Sequence, residues 1–128
     1  MNEPAWVTRE ECLAIHEMML AQHGGLAGIR DANLLESALS KPQNLFTHGS
    51  PTVTDMAASY AAGIIRNHPL VDGNKRTGFM VAAVFLEVNG YAFFATEEST
   101  VENTVALAAG KLKEPEYAAW LKANCRKG

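Results

Sequence analysis

The first helical stripe along the chain is Cys12, Ile15, Met19 and Leu20, which fall on one side of a 3.6-residue repeat. Thr8-Arg9-Glu10-Glu11 precedes it and reads as a capping box, in which the Thr8 hydroxyl and the Glu11 carboxylate satisfy amides that have no intrahelical acceptor. Gly24-Gly25 closes this helix, because glycine accepts the left-handed conformation of a helix C-terminus. Asp31 is predicted to cap a second helix running through Leu34-Leu35-Glu36-Ser37-Ala38-Leu39. Pro42 is predicted to stop it, since the residue before a proline avoids the helical region. Residues 43–53, punctuated by Asn44, Gly49, Ser50 and Pro51, read as a loop.

A third helix, rich in Ala, Ile and Tyr, is predicted from Thr54 or Asp55 to Asn67, where His68-Pro69 breaks it. A short loop then leads into a long apolar helix from Asn74 to Val88, closed by Asn89-Gly90. Tyr91–Phe94 reads as extended or irregular. Ser99-Thr100-Val101-Glu102 has the form of a second capping box and opens a helix ending near Gly110. Pro115 suits the first turn of a last helix, Glu116 to Asn124, with Trp120 and Leu121 facing inward. With no repeat, low-complexity tract or linker, the pattern predicts an all-α fold in a single domain over 1–128, any strands being short and peripheral.

The 128 residues, 48% of them hydrophobic, suffice for one domain with its own core. Fourteen acids against 11 bases give a net charge of -3, which speaks against a general nucleic-acid binder and leaves room for a local basic patch. Cys12 and Cys125 make neither a ligand cluster nor a disulfide framework; Cys12 reads as a core residue and Cys125 as part of a frayed tail. The start, Met1 to Val7, has an acid where a signal peptide needs positive charge, and no apolar core follows. The longest apolar run, Phe79 to Leu86, is too short to cross a bilayer. These features lead us to expect a soluble cytoplasmic protein without membrane contact. His16, His23 and His48 are not spaced as metal ligands, and Met18, Met19, Met56, Trp6 and the aromatics of Tyr91–Phe94 read as packing.

His68-Pro69-Leu70-Val71-Asp72-Gly73-Asn74-Lys75-Arg76-Thr77 is unusual for a connector between two apolar helices. It holds an imidazole, a carboxylate, a glycine beside an amide, and two cations, all just before a helix N-terminus. Such an end offers free N–H groups and partial positive charge, and so suits an anion. Gly73 would let a phosphate approach the backbone, and Lys75 and Arg76 add charge, the arginine through paired donors. Asp72 has the wrong sign for a phosphate ligand. A carboxylate beside a phosphate site points to a divalent cation between them, and Mg2+ is held by one or two carboxylates plus substrate phosphates. His68 offers an imidazole, the side chain most often used to accept a hydroxyl proton. Taken singly, each residue also has a plain structural role: Asp72 as a helix cap, Gly73 as a turn, His68 hydrogen-bonded at a helix end, Lys75-Arg76 as a solvated face. Their concurrence in one loop favours nucleotide phosphate chemistry.

The same segment resembles the signature of the Fic family, His-Pro-Phe-x-Asp/Glu-Gly-Asn-Gly-Arg, and its Lys75 is similar to the death-on-curing (Doc) branch, where lysine replaces the last glycine. The likeness extends to Gly24-Gly25, Gly28-Ile29-Arg30-Asp31, Leu34–Leu39, Phe85-Leu86, Asn89-Gly90 and Trp120-Leu121. The resemblance implies an all-α fold with the motif loop between two central helices. It implies a toxin of a bacterial or phage toxin–antitoxin pair. Most Fic enzymes transfer AMP to a protein hydroxyl, whereas the death-on-curing type phosphorylates a threonine of elongation factor Tu and stops translation. It further implies a Phd-type antitoxin whose C-terminal segment enters a groove on the toxin.

Carried over by position, His68 would be the general base and Asp72 the residue that holds Mg2+. Gly73 and Asn74 would shape the anion hole, Lys75 and Arg76 would bind the phosphates of ATP, and Arg66 would assist from just before the motif. Lys75 adds length and charge where AMP-transferring members have glycine, which favours presentation of the γ-phosphate. Two departures stand out: Leu70 replaces the motif phenylalanine, and Gly73 is the Fic-like choice where the founding death-on-curing protein has alanine. Residues 43–53 read equally as a plain connector or as the flap on which Fic enzymes register a target strand. Gly78, costly inside a helix, reads as close helix packing. No self-inhibitory Ser/Thr-x-x-x-Glu-Gly motif is evident, so control would come from outside.

Four functions compete at this point. A protein-hydroxyl kinase follows from Lys75, and an AMP or UMP transferase from Gly73 and the Fic-like frame. A non-catalytic binding module is opposed by the intact His68, Asp72 and Arg76. A helical nucleic-acid binder, such as an RNA-directed toxin, is opposed by the net charge of -3 and the lack of a basic stripe.

Overall fold

The helix α3 (Val53–Asn67) is the axle of the fold, with every residue from Val53 to Ile65 buried except the half-buried Asp55 of its first turn. A helix apolar on all sides belongs in a core, and its run of alanines lets neighbours approach from several directions. Around it, in the computed structural model, which describes residues 2–128, pack α1 (Arg9–His23), α2 (Ala32–His48), α4 (Asn74–Val88), α5 (Glu97–Ala108) and α6 (Glu114–Ala123). Met1, the first residue of the segment weighed above as a leader, lies outside the described residues. β1 (Tyr91–Phe93) pairs antiparallel with β2 (Cys125–Lys127), Phe93 opposite Cys125, so the end of the described chain is tied down rather than frayed. The fold is all-α with a small peripheral ribbon, as the pattern predicts. No described helix is long and apolar enough to cross a membrane.

α4 lies against α3 at Gly78. A β-carbon there would sit 3.0 Å from Ile65 Cγ1 and 3.2 Å from the Ala61 carbonyl oxygen. Close packing thus accounts for this interior glycine. Tyr60 of α3 is fully buried; its hydroxyl accepts from Val7 N at 3.0 Å, and burial pushes it up to about 12. Trp6 stacks on Phe85 of α4 and meets Phe46 of α2 edge-on, closing the core at that end.

Four boundaries differ from the sequence expectation, each for a local reason. α2 does not stop at Pro42 but continues to His48, leaving only residues 49–52 as connector. Pro42 forgoes one helical hydrogen bond, yet it is buried and extends the stripe Leu35, Ala38, Leu39 at helical spacing, with Phe46 next along it. Packing against α3 overrides the breaker. Because 43–48 is helical, that stretch offers no strand edge for a target, and the flap alternative fails there. α3 starts at Val53, one or two residues early, because Thr52 and Asp55 form a reciprocal capping box. α5 starts at Glu97, because Thr96 is the cap that accepts from Ser99 N; Ser99 lies inside the helix and accepts instead from Trp120 Nε1. α6 begins at Glu114 with Pro115 in its first turn, Leu121 buried and Trp120 half-buried.

Candidate active site

The loop between α3 and α4 is built from the inside out. Leu70 is fully buried and anchors it. Asn74, at the first turn of α4 and 5% exposed, braces that anchor: its Oδ1 accepts from Leu70 N at 3.0 Å and its Nδ2 donates to Leu70 O at 2.9 Å. Leucine therefore fills the core position where the family signature has phenylalanine. With Leu70 fixed, His68, Val71 and Asp72 are left on the surface. His68 ends α3 in the left-handed conformation, φ 52 and ψ 51, and its imidazole has no hydrogen-bond partner among the described residues.

Gly73 is the N-cap of α4, also left-handed, and supplies no side-chain cap. The first intrahelical bond is Thr77 N to Gly73 O at 3.0 Å, so the N–H groups of Asn74, Lys75 and Arg76 have no acceptor within the helix. Lys75 and Arg76 are exposed, and neither has a salt bridge among the described residues. The loop thus ends on an uncapped helix N-terminus flanked by two free cations, an electropositive surface suited to phosphate.

Asp72 does not cap α4. Its Oδ1 accepts from Gly73 N at 2.8 Å and its Oδ2 from Leu26 N at 3.2 Å. Those N–H groups, Leu26 first and Gly73 next, hold its carboxyl below the usual carboxylate range, helped by the charges of Arg76 and His16. Each oxygen keeps a lone pair for another partner.

Two groups that sequence reasoning missed hold this loop. His16, read from spacing as no ligand, lies 4% exposed on α1, and its Nε2 stands 2.9 Å from the Asp72 carbonyl oxygen. A carbonyl only accepts, so this nitrogen carries a proton. The second is the segment joining α1 to α2, which lies over the loop. Val71 N donates to Gly28 O at 3.0 Å, and Ile29 pairs with Leu70 as an antiparallel bridge. Gly25 passes so close to Asp72 that a β-carbon would sit 2.8 Å from Oδ2, and its φ of +121 also calls for glycine. Arg30 from this segment donates to the carbonyls of His68 at 2.6 Å and Asn67 at 2.9 Å. The glycines at 24, 25 and 28 were the available signal: three in five residues mark a backbone that lies close against another.

The structure therefore brings His68, Asp72, Gly73, Lys75 and Arg76 into one short surface loop and helix start. Asn74 is there too, but its side chain is spent on Leu70 and only its backbone N–H remains for an anion. Arg66 is not part of the group: its guanidinium leans to Glu114 of α6 at 3.7 Å, beside the Lys41–Glu114 pair, and makes no hydrogen bond to the loop. The arginine tied to the motif is Arg30.

The model of the Fic/DOC family matches residues 6–86, from the segment before α1 to near the end of α4, and takes in the whole loop. The chain belongs to the Fic/DOC family. Over 117 residues it is 29% identical to "Protein kinase doc" of Escherichia phage P1, across 91% of this chain and 92% of that protein. Over 69 residues it is 42% identical to "Toxin Doc" of Mycolicibacterium smegmatis, across 52% of this chain and 53% of that protein. In this Fic/DOC chain the family motif is the loop His68–Thr77, and the segment laid over it is Gly24–Asp31.

Proposed function

We propose that this chain is a toxin of a toxin–antitoxin pair that acts as a Mg-ATP-dependent kinase, moving the γ-phosphate of ATP to a threonine hydroxyl of elongation factor Tu and so blocking translation. The observation that carries the reading is the uncapped start of α4, where the N–H groups of Asn74, Lys75 and Arg76 and two unpaired cations stand beside the ionised Asp72. Similarity to a protein named as a kinase supports the choice of reaction.

The residues fit magnesium and ATP. Asp72 offers a hard, ionised oxygen ligand at the edge of an anion site, the donor set that magnesium shares with nucleotide phosphates. When bound, the cation would neutralise phosphate charge and align the nucleotide. The chain's own groups do the rest. The α4 N–H groups and Arg76 hold phosphate oxygens, and Lys75 adds charge beside the transferred group. His68, with an unengaged imidazole, takes the proton of the acceptor hydroxyl. The threonine oxygen bonds to the γ-phosphorus, the bond from that phosphorus to the bridging oxygen breaks, and ADP leaves. A Phd-type antitoxin, binding by its C-terminal segment, supplies the control.

His68→Ala tests the reading. Phosphorylation of elongation factor Tu with Mg-ATP is expected to slow by roughly 10²–10⁴, the range for losing a general base, with thermal unfolding unchanged. Equal rates for both proteins would remove His68 from the reaction. Expression of the parent chain alone is expected to arrest growth, with relief by a co-expressed antitoxin.

A further inference from the structure

His68 is the one non-glycine residue with positive φ among the described residues. The left-handed region is strained for a residue with a side chain, and the following Pro69 narrows its options further. Something must hold it there. The hydrogen bonds show what does. Arg30 Nε donates to His68 O at 2.6 Å, Arg30 Nη2 to Asn67 O at 2.9 Å, and Arg30 N to Pro69 O at 2.7 Å. Asp31 N also donates to Pro69 O, at 3.0 Å. Three successive carbonyls across the turn are thus gripped by one dipeptide.

Arg30 is itself fixed on both sides. Ile29 pairs with Leu70, and Asp31 is the N-cap of α2, accepting from Leu34 N at 3.0 Å. No carboxylate pairs with Arg30 among the described residues, so the guanidinium is committed to the turn. A rigid fork can span adjacent carbonyls in a way that a lysine ammonium cannot. Its charge also suits the C-terminus of α3.

We propose that Arg30 is a positioning residue for phosphoryl transfer: it locks His68 in the left-handed conformation that presents the imidazole to the acceptor hydroxyl. This rests on the assignment of His68 as the base. The start of α4 is braced separately, by Asn74 on Leu70 and by His16 on Asp72, so the phosphate side of the site does not depend on Arg30. Losing Arg30 therefore lowers kcat and leaves KM for ATP in place.

The test uses the full chain, elongation factor Tu and Mg-ATP, with Arg30→Ala, Arg30→Lys, His68→Ala and the double variant Arg30→Ala/His68→Ala. Arg30→Ala is expected to lower kcat by roughly tenfold, the size of the backbone penalty no longer opposed, with KM for ATP within about twofold. Arg30→Lys, reaching one carbonyl at a time, falls between. In the His68→Ala background, removing Arg30 costs nothing more. NMR of the labelled chain reads the cause directly: the His68 Cα shift and its HN–Hα coupling leave left-handed values in Arg30→Ala. Should that variant not fold, Arg30→Lys carries the same spectra. A His68 that stays left-handed without Arg30, or losses that multiply in the double variant, overturns the proposal. A His68→Ala protein as active as the parent would sink the base assignment and the catalytic consequence with it; that failure is distinguishable, because the spectra would still show His68 leaving its conformation.

Discussion

Asn74 belongs to the motif, yet its side chain faces inward, and replacing it should act on the fold of the loop first. Asn74→Ala removes the donor and the acceptor that satisfy both backbone groups of the fully buried Leu70. Each orphaned group costs about 1–3 kcal/mol, and relaxation of a surface loop offsets part of that, leaving a destabilisation of about 2–4 kcal/mol. For a domain of this size, that is a fall in melting temperature of roughly 8–16 °C. Asn74→Asp sharpens the argument. One carboxylate oxygen can still accept from Leu70 N, but the other meets Leu70 O with no proton between them. Protonation restores the donor, so the folded pKa of the new carboxyl rises above its unfolded value near 3.9. Its stabilising contribution is full below about pH 4 and is lost as pH rises through the folded value. Urea unfolding at several pH values is the assay, with Asp72 present in parent and variant alike. The gap between them should widen upward from about pH 4. An Asn74→Ala protein within about 1 kcal/mol of the parent, or an Asn74→Asp gap flat with pH, would refute the brace.

Asp72→Asn should be less stable than the parent at neutral pH. The depressed folded carboxyl contributes above its unfolded value near 3.9 and stops contributing as pH falls through the folded value, so the gap should close on acidification; a gap independent of pH would discard the Leu26 and Gly73 contacts. Gly78→Ala gains about 1 kcal/mol of helix propensity and meets an overpacking cost of about 1–3 kcal/mol against Ile65 and the Ala61 carbonyl. Denaturant unfolding should show a net loss, and a stabilised variant would mean that α3 and α4 are further apart. Burial pushes the Cys12 thiol up to about 11, whereas Cys125 is half-buried in β2. Alkylation of the native chain should label Cys125 first and reach Cys12 only on unfolding; equal rates would contradict the packing around α1.

Much of this molecule was legible because local signals and packing agree. Thr8–Glu11 and Asp31 cap the helices that they announce, and the α4 boundaries follow from an apolar run bracketed by Gly73 and Asn89. Pro42 was misleading because a breaker is a local signal, whereas the stripe Leu35–Leu39–Pro42 records burial against α3. The motif loop could be read as a set of chemical groups, since titratable residues between two apolar helices stand out. What pattern could not supply was how that loop is held. Arg30 and His16 act on backbone carbonyls across 38 and 56 residues of sequence, and such contacts leave no periodic trace. Nor does the sequence say where a side chain turns: Asn74 and Arg66 share the neighbourhood of the motif but point to Leu70 and Glu114.

In the proposed reaction the electropositive start of α4, beside Asp72 and His68, serves transfer of the γ-phosphate. The most direct test is to incubate the purified chain with elongation factor Tu and Mg-ATP labelled at either the α- or the γ-phosphate. Label on elongation factor Tu from the γ position alone is the expected result. Label from the α position would contradict it, showing nucleotidyl transfer from the same loop and removing the role given to Lys75.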